Sequence, residues 1–504
     1  MQKYFFLLWT LICLSLPAHA SMPRPKLILT LVIDQFRADY LMRFGKEFLP
    51  AHGKNGEVGG FEYFMTDGAY FPYGQYDILE SMTGPGHATI LTGSYPYQAG
   101  IPLNIWYDHK THSSVYCTQG ESPELLYGTT VGDELKNADY PSRVVTVSLK
   151  DRAAILMGGH RADLALWYDE KNEEWVSSKY YLRKGKTPTW LVNFNHKPDS
   201  HATEETLTSP YGSDFTERFA ETVFDTYHLG QRAATDLFAV SFSSHDYAGH
   251  LYGPNSREVK KMTISEDQAI ARLLNHIRSK VPGGLKNVVI VLTGDHGIAP
   301  TPEWAASHRF ASGRVDTTEL AQKMSRALDE KFGKPRNGEW IPFQHDFNFY
   351  LNYDAISELH LNLAQVEEEA KKAIVGTPNV AAIFTSAEYE RQALAPGQQE
   401  RQILHTYFFG RSGDLILIPR PYFVPKAPHF TVREKTNHIT GYNYDRTVPI
   451  LFAGFHIRPG LYATQANVID IAPTLTFLSG TLPPSLSEGR VLSEILTTTR
   501  SSIR

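Results

Sequence analysis

Three stretches of the chain are apolar at nearly every position rather than at every second one. They are residues 27–33 (Leu27-Ile28-Leu29-Thr30-Leu31-Val32-Ile33), residues 236–244 around Leu237-Phe238-Ala239-Val240-Ser241-Phe242, and residues 287–293 around Val288-Val289-Ile290-Val291-Leu292. Runs of this kind predict strands buried on both faces, the pattern of a parallel sheet lying between helices. Each run ends in polar chemistry: Asp34 after the first, Ser243-Ser244-His245-Asp246-Tyr247-Ala248-Gly249-His250 after the second, and Gly294-Asp295-His296-Gly297 after the third. In open α/β sheets the carboxyl ends of the strands are where ligands bind, because the loops there vary while the strands stay packed. The expected fold class is α/β, with a mostly parallel central sheet sandwiched by helices.

A further strand-like run, residues 144–149, leads into Lys150-Asp151-Arg152. On an extended segment Lys150 and Arg152 alternate and face one ligand together. Residues 164–169 and 174–181, separated by a Glu-Lys-Asn turn, predict a hairpin; Trp175, Tyr180 and Trp190 around it either wall the substrate side or pack the hairpin. From about Thr317 the pattern changes. Leu320, Met324 and Leu328 predict an amphipathic helix, residues 347–351 a strand, Val366, Ala370 and Ile374 a second helix, and residues 380–385 another strand. That alternation falls between Asp295-His296 and His438, so residues 317–429 are expected to form an inserted α+β cap. The core then comprises residues 21–316 and 430–504, including the hairpin-containing insertion at about 158–230, and it resumes with residues 448–454 and a helix after Ile471-Ala472-Pro473. Residues 497–504 are polar and expected to fray.

Composition narrows the function classes. With 504 residues and 42% hydrophobic content the chain can bury a large core, and 12% aromatics argue against extended disorder. A formal net charge of −5 gives no basis for a nucleic-acid partner. Lys3, the apolar run 4–16 and the small-x-small sequence Ala18-His19-Ala20 predict a signal peptide over residues 1–20 and a periplasmic or secreted protein. The apolar run is too short to span a bilayer stably; an uncleaved anchor is the alternative. Cys13 falls in the leader, so a cleaved chain keeps only Cys117 and forms no internal disulfide, which suits a bacterial-type periplasm. Cys117 reads as a packed apolar residue.

The segment Thr83-Gly84-Pro85-Gly86-His87 sets a hydroxyl between turn formers and a predicted helix. Thr83 suits a helix N-cap; it equally suits a nucleophile, provided a base or bound metal stabilises its alkoxide, with the helix N-terminus favouring an anion. Asp246 and His250 share one face of a helical segment at their spacing of four, and His438 would complete a metal site with them. Asp295 and His296, on a loop with Gly294 and Gly297, would join Asp34 and the Thr83 oxygen in a second. Mixed Asp/His ligation with open positions suits catalytic zinc, whereas calcium or magnesium would ask for oxygens alone. Taken singly, each His or Asp also fits a hydrogen-bonded loop or turn position.

Thr83-Gly84-Pro85-Gly86-His87 resembles the T-x-P-x-H nucleophile motif of the alkaline phosphatase superfamily, in the branch of the nucleotide pyrophosphatase/phosphodiesterases and the phosphate-irrepressible alkaline phosphatases. The D-Q-x-R-x-D-Y start at Asp34, the S-S-x-D-x-x-G-H segment, the G-D-H-G at Asp295 and His296, and His438 followed by Tyr442-Asn443-Tyr444-Asp445 follow that branch in order. The resemblance implies an alkaline-phosphatase-like core with inserted cap regions and two Zn2+ ions, one held by Asp246, His250 and His438, the other by Asp34, Asp295, His296 and Thr83. It further implies a phosphothreonine intermediate at Thr83. Asn104 and the Lys150-Asp151-Arg152 segment resemble the monoesterase subgroup, in which an Asn, a Lys and an Arg hold the two terminal oxygens of a phosphate monoester. The expected protein is an exported zinc-dependent alkaline phosphatase acting on small-molecule phosphate monoesters, with no nucleic-acid partner and no stable membrane span after cleavage. Two alternatives stay open: a nucleotide pyrophosphatase/phosphodiesterase, and a non-catalytic exported metal-binding protein. Sulfatases need a modifiable Cys or Ser and an Arg in the place of Thr83 and His87, and cofactor-independent phosphoglycerate mutases use a serine.

Overall fold

Every residue of the strand Leu27–Ile33 is buried, and the strand occupies the middle of a ten-stranded sheet. It pairs in parallel with Asp236–Phe242 on one side and Val288–Gly294 on the other, in registers that bring Ile33 level with Phe242 and Gly294. Across the sheet the order runs Gly460–Leu461, Ala69–Gln75, Thr447–Gly454, Val288–Gly294, Leu27–Ile33, Asp236–Phe242, Val144–Ser148, Leu164–Asp169, Glu174–Val176, with Ala466–Asn467 also on Ala69–Gln75. The strands from Val288–Gly294 through Leu164–Asp169 are mutually parallel, and Thr447–Gly454 and Glu174–Val176 run against them. The computed structural model describes residues 23–138, 141–182, 185–390, 397–426 and 433–497. The expected signal peptide and residues 498–504 lie outside them.

The continuous apolar runs follow from a core on each face. Leu27, Leu29, Leu31 and Ile33 enter one core with Phe238, Val240, Ile290 and Leu292; Ile28 and Val32 enter the other with Leu237, Ala239, Val289 and Val291. The first face is covered by the helices Tyr211–Tyr227 and Arg257–Lys280, through Phe219, Val223, Val259, Leu273 and Ile277. The second is covered by Thr83–Thr92, Val131–Asn137 and Ile471–Ser479, through Ile90, Leu135 and Leu475. Each such fully buried side chain contributes about 1.5–3 kcal/mol by leaving water. Among the described residues no helix is long and apolar enough to cross a membrane.

Residues 317–426 build a second sheet, antiparallel, in the order Phe343–His345, Asn348–Tyr350, Leu415–Pro419, Val380–Thr385. The helices Thr317–Phe332 and Leu363–Ile374 bury Leu320, Met324, Leu328, Val366, Ala370 and Ile374 against Phe349 and Leu417. Met82, Ile101, Trp106 and the buried Cys117 belong to the same cluster, which fastens this sheet to the segments around Thr83 and Asn104.

Two local expectations change. Residues 150–152 do not continue the strand: it stops at Ser148, and Lys150 is the N-cap of the helix Asp151–Gly158. The run Ala153-Ala154-Ile155-Leu156-Met157 favours helix, and Asp151 complements the positive end of its dipole. In the predicted hairpin the second strand is only Glu174–Val176. Trp175 stacks on Phe219 with centroids 3.8 Å apart, Trp190 meets Tyr227 edge-on, and the Tyr180 hydroxyl donates to the His160 carbonyl, so these rings pack the insertion.

The two sheets also meet through a buried polar contact. The Asn348 amide donates to Glu80 Oε1 while its oxygen accepts from Gly413 N at 2.9 Å. Burial pushes the Glu80 carboxyl up to about 8, against the pull of the Asn348 bond. A folded-state value above the ordinary 4.5 means that the folded protein holds this proton more tightly. Its contribution to stability is therefore complete below that value and is lost as pH rises towards 8. Glu80→Gln mimics the protonated acid. Its urea midpoint relative to the parent is expected to rise between pH 5 and pH 8, by the equivalent of about 1–4 kcal/mol at 1.36 kcal/mol per unit; a pH-independent difference would show that Glu80 does not titrate in this range.

Candidate active site

Four neighbouring parallel strands deliver their chemistry at the same edge. In spatial order, Val288–Gly294 is followed by Asp295 and His296, Leu27–Ile33 by Asp34, Asp236–Phe242 by Asp246, and Val144–Ser148 by Lys150. Asp246 and His250 lie on the helix Ser244–Tyr252, whose turn brings Asp246 Oδ1 to 3.2 Å from His250 Nε2. His438 Nε2 is 3.6 Å from the same oxygen. His296 Nε2 lies 3.5 Å from Asp34 Oδ1 and 3.4 Å from Asp295 Oδ2, and the His296 and His438 rings stack with centroids 3.6 Å apart. All of these side chains are buried apart from the partly exposed His250. Two groups have ligand atoms close enough to share an ion: Asp246, His250 and His438, and Asp34, Asp246 and His296. Asp246 belongs to both. Asp295, expected in the second group, adjoins it and also contacts His87 Nδ1 at 3.1 Å.

Thr83 is the first residue of the helix Thr83–Thr92, and the N-cap position is taken by Met82, so the hydroxyl has no capping role. Arg152 Nη2 lies 3.5 Å from Thr83 Oγ1. Asn104 Oδ1 accepts from Gly84 N at 2.7 Å, which fixes the amide and leaves its Nδ2 donors for the cleft that Asn104 lines. Thr83, Asn104, Arg152, Asp246, His250 and His438 line one cleft of about 220 Å³. Lys150 points elsewhere than the predicted pairing with Arg152 had it: its Nζ lies between Asp34 Oδ2 at 2.6 Å and Asp246 Oδ2 at 2.5 Å.

The electrostatics follow from this crowding. Burial, with Asp295 beside it, drives Asp34 well above the usual carboxylate range against the pull of Lys150. Burial would raise Asp246 as well, but Lys150 and His250 outweigh it and hold that carboxyl well below the range. His296 and His87 likewise outweigh burial and hold Asp295 low. Burial pushes the His296 imidazole down to about 3, so it is neutral at ordinary pH.

The donor set fits a pair of metal ions. His250 Nδ1 bonds to the Thr436 carbonyl at 3.0 Å, His438 Nδ1 to the Ser81 carbonyl at 2.6 Å and His296 Nδ1 to the Gly297 carbonyl at 2.9 Å. A carbonyl only accepts, so each Nδ1 carries a proton, which leaves Nε2 as the ring atom available to ligate a metal. His296 Nε2 and Asp295 Oδ2 are buried there without a hydrogen-bond partner. Imidazole nitrogens mixed with carboxylates are the ligands of zinc and similar ions.

Supporting residues were hardly legible in sequence. Gln35, at a left-handed φ of 69°, donates from its backbone to Asp295 Oδ1 at 2.9 Å and from Nε2 to Asp246 Oδ1 at 2.5 Å, tying two acids from different strands. Gly249 of the D-x-x-G-H segment makes room for it, since a Cβ there would fall 1.5 Å from Gln35 Oε1. His87 joins Thr83 O at 2.9 Å to Ser241 Oγ at 2.8 Å. Tyr116 accepts from Arg152 Nη1 at 3.2 Å and donates to Asp151 Oδ1 at 2.7 Å, steadying the guanidinium. His345, Asp346 and Glu434 complete the rim of the cleft, the first two from the tip of the second sheet's hairpin.

Comparison with known proteins follows the same lines. The sequence profile described as type I phosphodiesterase / nucleotide pyrophosphatase matches residues 28–441. The chain is 28% identical to the alkaline phosphatase PafA of Elizabethkingia meningoseptica, over 94% of this chain and 95% of that one. It is 29% identical to the alkaline phosphatase PhoV of Synechococcus elongatus, over 94% of each. The crystal structure of PafA superposes with a TM-score of 0.85 at 27% identity, covering 95% of this chain and all of that one. A solved variant of PafA is altered at a Thr, an Asn, a Lys and an Arg; the first two are separated by the same interval as Thr83 and Asn104, and the last two by that of Lys150 and Arg152.

The position of Gln35 generates a test that reads the metal rather than turnover. Gln35→Ala removes the Nε2 donor from Asp246, and Gly249→Ala drives the same side chain out; both are expected to weaken metal retention by about 10–100-fold. Metal content after dialysis against graded chelator measures this, and parent-like retention in both variants would remove Gln35 from the support of the site.

Proposed function

The chain belongs to the type I phosphodiesterase / nucleotide pyrophosphatase family, and from that premise we propose that it is an exported, zinc-dependent alkaline phosphatase that hydrolyses small-molecule phosphate monoesters through a phosphothreonine intermediate at Thr83. The observation that carries this reading is the grouping of Thr83, Asn104 and Arg152 in one small cleft walled by Asp246, His250 and His438. Similarity to PafA and PhoV, both named alkaline phosphatases, supports the hydrolase class. The leader pattern of residues 1–20 supports export. In the same reading, residues 317–429 cap a core of residues 21–316 and 430–504.

The residues present divide the work. Arg152, always cationic and steadied by Tyr116, presents N–H donors beside the Thr83 oxygen, where the terminal oxygens of a monoester would lie. The Asn104 Nδ2 donors add a second contact, and the positive end of the Thr83–Thr92 helix favours the dianion. Thr83 attacks phosphorus as the alcohol leaves on the opposite side; water then cleaves the phosphothreonine and returns the hydroxyl. Two Zn2+ ions, one at Asp246, His250 and His438 and the other at Asp34, Asp295, His296 and Thr83, would supply the charge that lowers the pKa of the Thr83 hydroxyl and stabilises the leaving oxygen. Lys150, with its Nζ between Asp34 and Asp246, balances the carboxylates at the same strand edge, and with Asn104 and Arg152 it would hold the phosphate.

A diester carries one negative charge on its terminal oxygens where a monoester dianion carries two, and it bears a second substituent where Arg152 reaches, so an Arg152-dependent preference separates the two chemistries. Steady-state hydrolysis of p-nitrophenyl phosphate and bis-p-nitrophenyl phosphate by zinc-loaded protein is expected to favour the monoester. Arg152→Ala should cut monoester kcat/KM by about 10²–10³-fold, the cost of losing a transition-state donor, and Thr83→Ala by about 10³-fold or more. A diester preference indifferent to Arg152→Ala would move the protein to the phosphodiesterases, and activity surviving Thr83→Ala would remove the nucleophile.

A further inference from the structure

Of the three groups proposed to hold the phosphate, Lys150 is fixed by two carboxylates and Asn104 by the Gly84 amide. Arg152 is held differently. Its Nε is buried without a hydrogen-bond partner, and its Nη2 faces Thr83 Oγ1 at 3.5 Å. Among the described residues the guanidinium is otherwise tied at Nη1 alone, which donates to the Tyr116 hydroxyl at 3.2 Å. That hydroxyl has one proton and gives it to Asp151 Oδ1 at 2.7 Å, so its lone pairs are left for the arginine. Thr118 donates to the other oxygen, Asp151 Oδ2, at 3.0 Å and holds the carboxylate from its far side. Resting on the monoester reading above, we infer that Tyr116 is a positioning residue that aims Arg152 at the phosphoryl group, and that it thereby sets the preference for monoesters over diesters without touching substrate.

Tyr116 is itself fixed by its place in the fold. It ends the strand Ser113–Tyr116, which pairs antiparallel with Ile105–Asp108 in a register that sets Tyr116 opposite Ile105. Just beyond that pair Cys117 N donates to the Asn104 carbonyl at 2.9 Å. One hairpin therefore carries Asn104 at its entry and the anchor of Arg152 at its exit. Two strands alone are marginally stable, and this hairpin is clamped against the second sheet. Trp106 and Tyr107 are buried in one cluster with Phe349 and Tyr350, and the Tyr107 ring stacks on Phe343 with centroids 5.6 Å apart. Without the Tyr116 hydroxyl the arginine keeps its charge but loses the contact that restricts its rotamers. A monoester dianion makes the larger demand on a guanidinium fork, so it suffers more from that loss than a diester does.

Tyr116→Phe keeps the ring and removes the hydroxyl. In zinc-loaded protein it is expected to lower kcat/KM for p-nitrophenyl phosphate about tenfold or more, as for the loss of a hydrogen bond to a charged group, and to leave bis-p-nitrophenyl phosphate within about twofold of the parent. Introduced into Arg152→Ala it should add nothing, because its effect passes through that side chain. Equal losses on both esters, or a Tyr116→Phe effect that persists in Arg152→Ala, would assign Tyr116 to packing and overturn the inference. Should Tyr116→Phe fail to fold, Thr118→Val reads the same chain of contacts from the far side of Asp151: the monoester-to-diester ratio falls about two- to fivefold, the size of one weaker hydrogen bond, or the inference is overturned. A parent protein that prefers the diester, with a ratio indifferent to Arg152→Ala, would instead overturn the monoester reading itself.

Discussion

The structure is organised around the problem of burying carboxylates together. Asp34, Asp246 and Asp295 arrive from three adjacent strands and are all buried. Isolated ionised carboxylates in such a place cost far more than a fold can spare, so positive charge must be present among them. The chain provides some of it through Lys150, between Asp34 and Asp246, and the remaining demand is what makes the position suited to divalent ions. The three imidazoles are held by backbone carbonyls at Nδ1, which leaves each Nε2 to answer that demand. The strand edge therefore sets the charge, and the charge sets which loops can surround it.

The second sheet gains its place from the same edge. Its core is continuous with Met82 and Ile101, which flank the nucleophile segment, and its hairpin tip brings His345 and Asp346 to the rim of the cleft. A helix or loop insertion far from Thr83 would leave the cleft open to bulk water, where an arginine and an amide donor are worth much less. The hydrogen bond from Asn348 to Glu80 ties the second sheet to the segment just before Thr83.

What sequence made legible follows from how local each signal is. Strands such as Leu27–Ile33 show themselves because both faces are buried, and Asp246 with His250 because a helix turn is a local geometry. The helices Thr317–Phe332 and Leu363–Ile374 were readable from one-sided burial. The extended backbone expected for Lys150 and Arg152 did not hold, because the strand ends at Ser148 and the helix begins at Asp151. Leu415–Pro419 carries an apolar run, yet its place in the second sheet depends on distant partners, such as Asn348 opposite Ile416. Gln35 gave no signal of its own: its role rests on a left-handed backbone and on space left by Gly249, and both exist only once the strands are assembled.

The two glycines of the nucleophile segment connect these scales. A Cβ on Gly86 would meet the Asp295 carbonyl at 2.5 Å, and one on Gly84 would meet Asn104 Oδ1 at 2.8 Å. The backbone of the Thr83–Thr92 helix is thus packed directly onto the loop of Asp295 on one side and onto the Asn104 amide on the other. Such backbone contacts fix the place of the Thr83 hydroxyl, and in catalytic sites misplacement by about 1 Å costs on the order of 10²-fold in rate. Any larger residue at either glycine would have to move the helix or the groups it serves. The motif is therefore as much a statement about the separation of Thr83 from Asp295 as about the chemistry of a threonine.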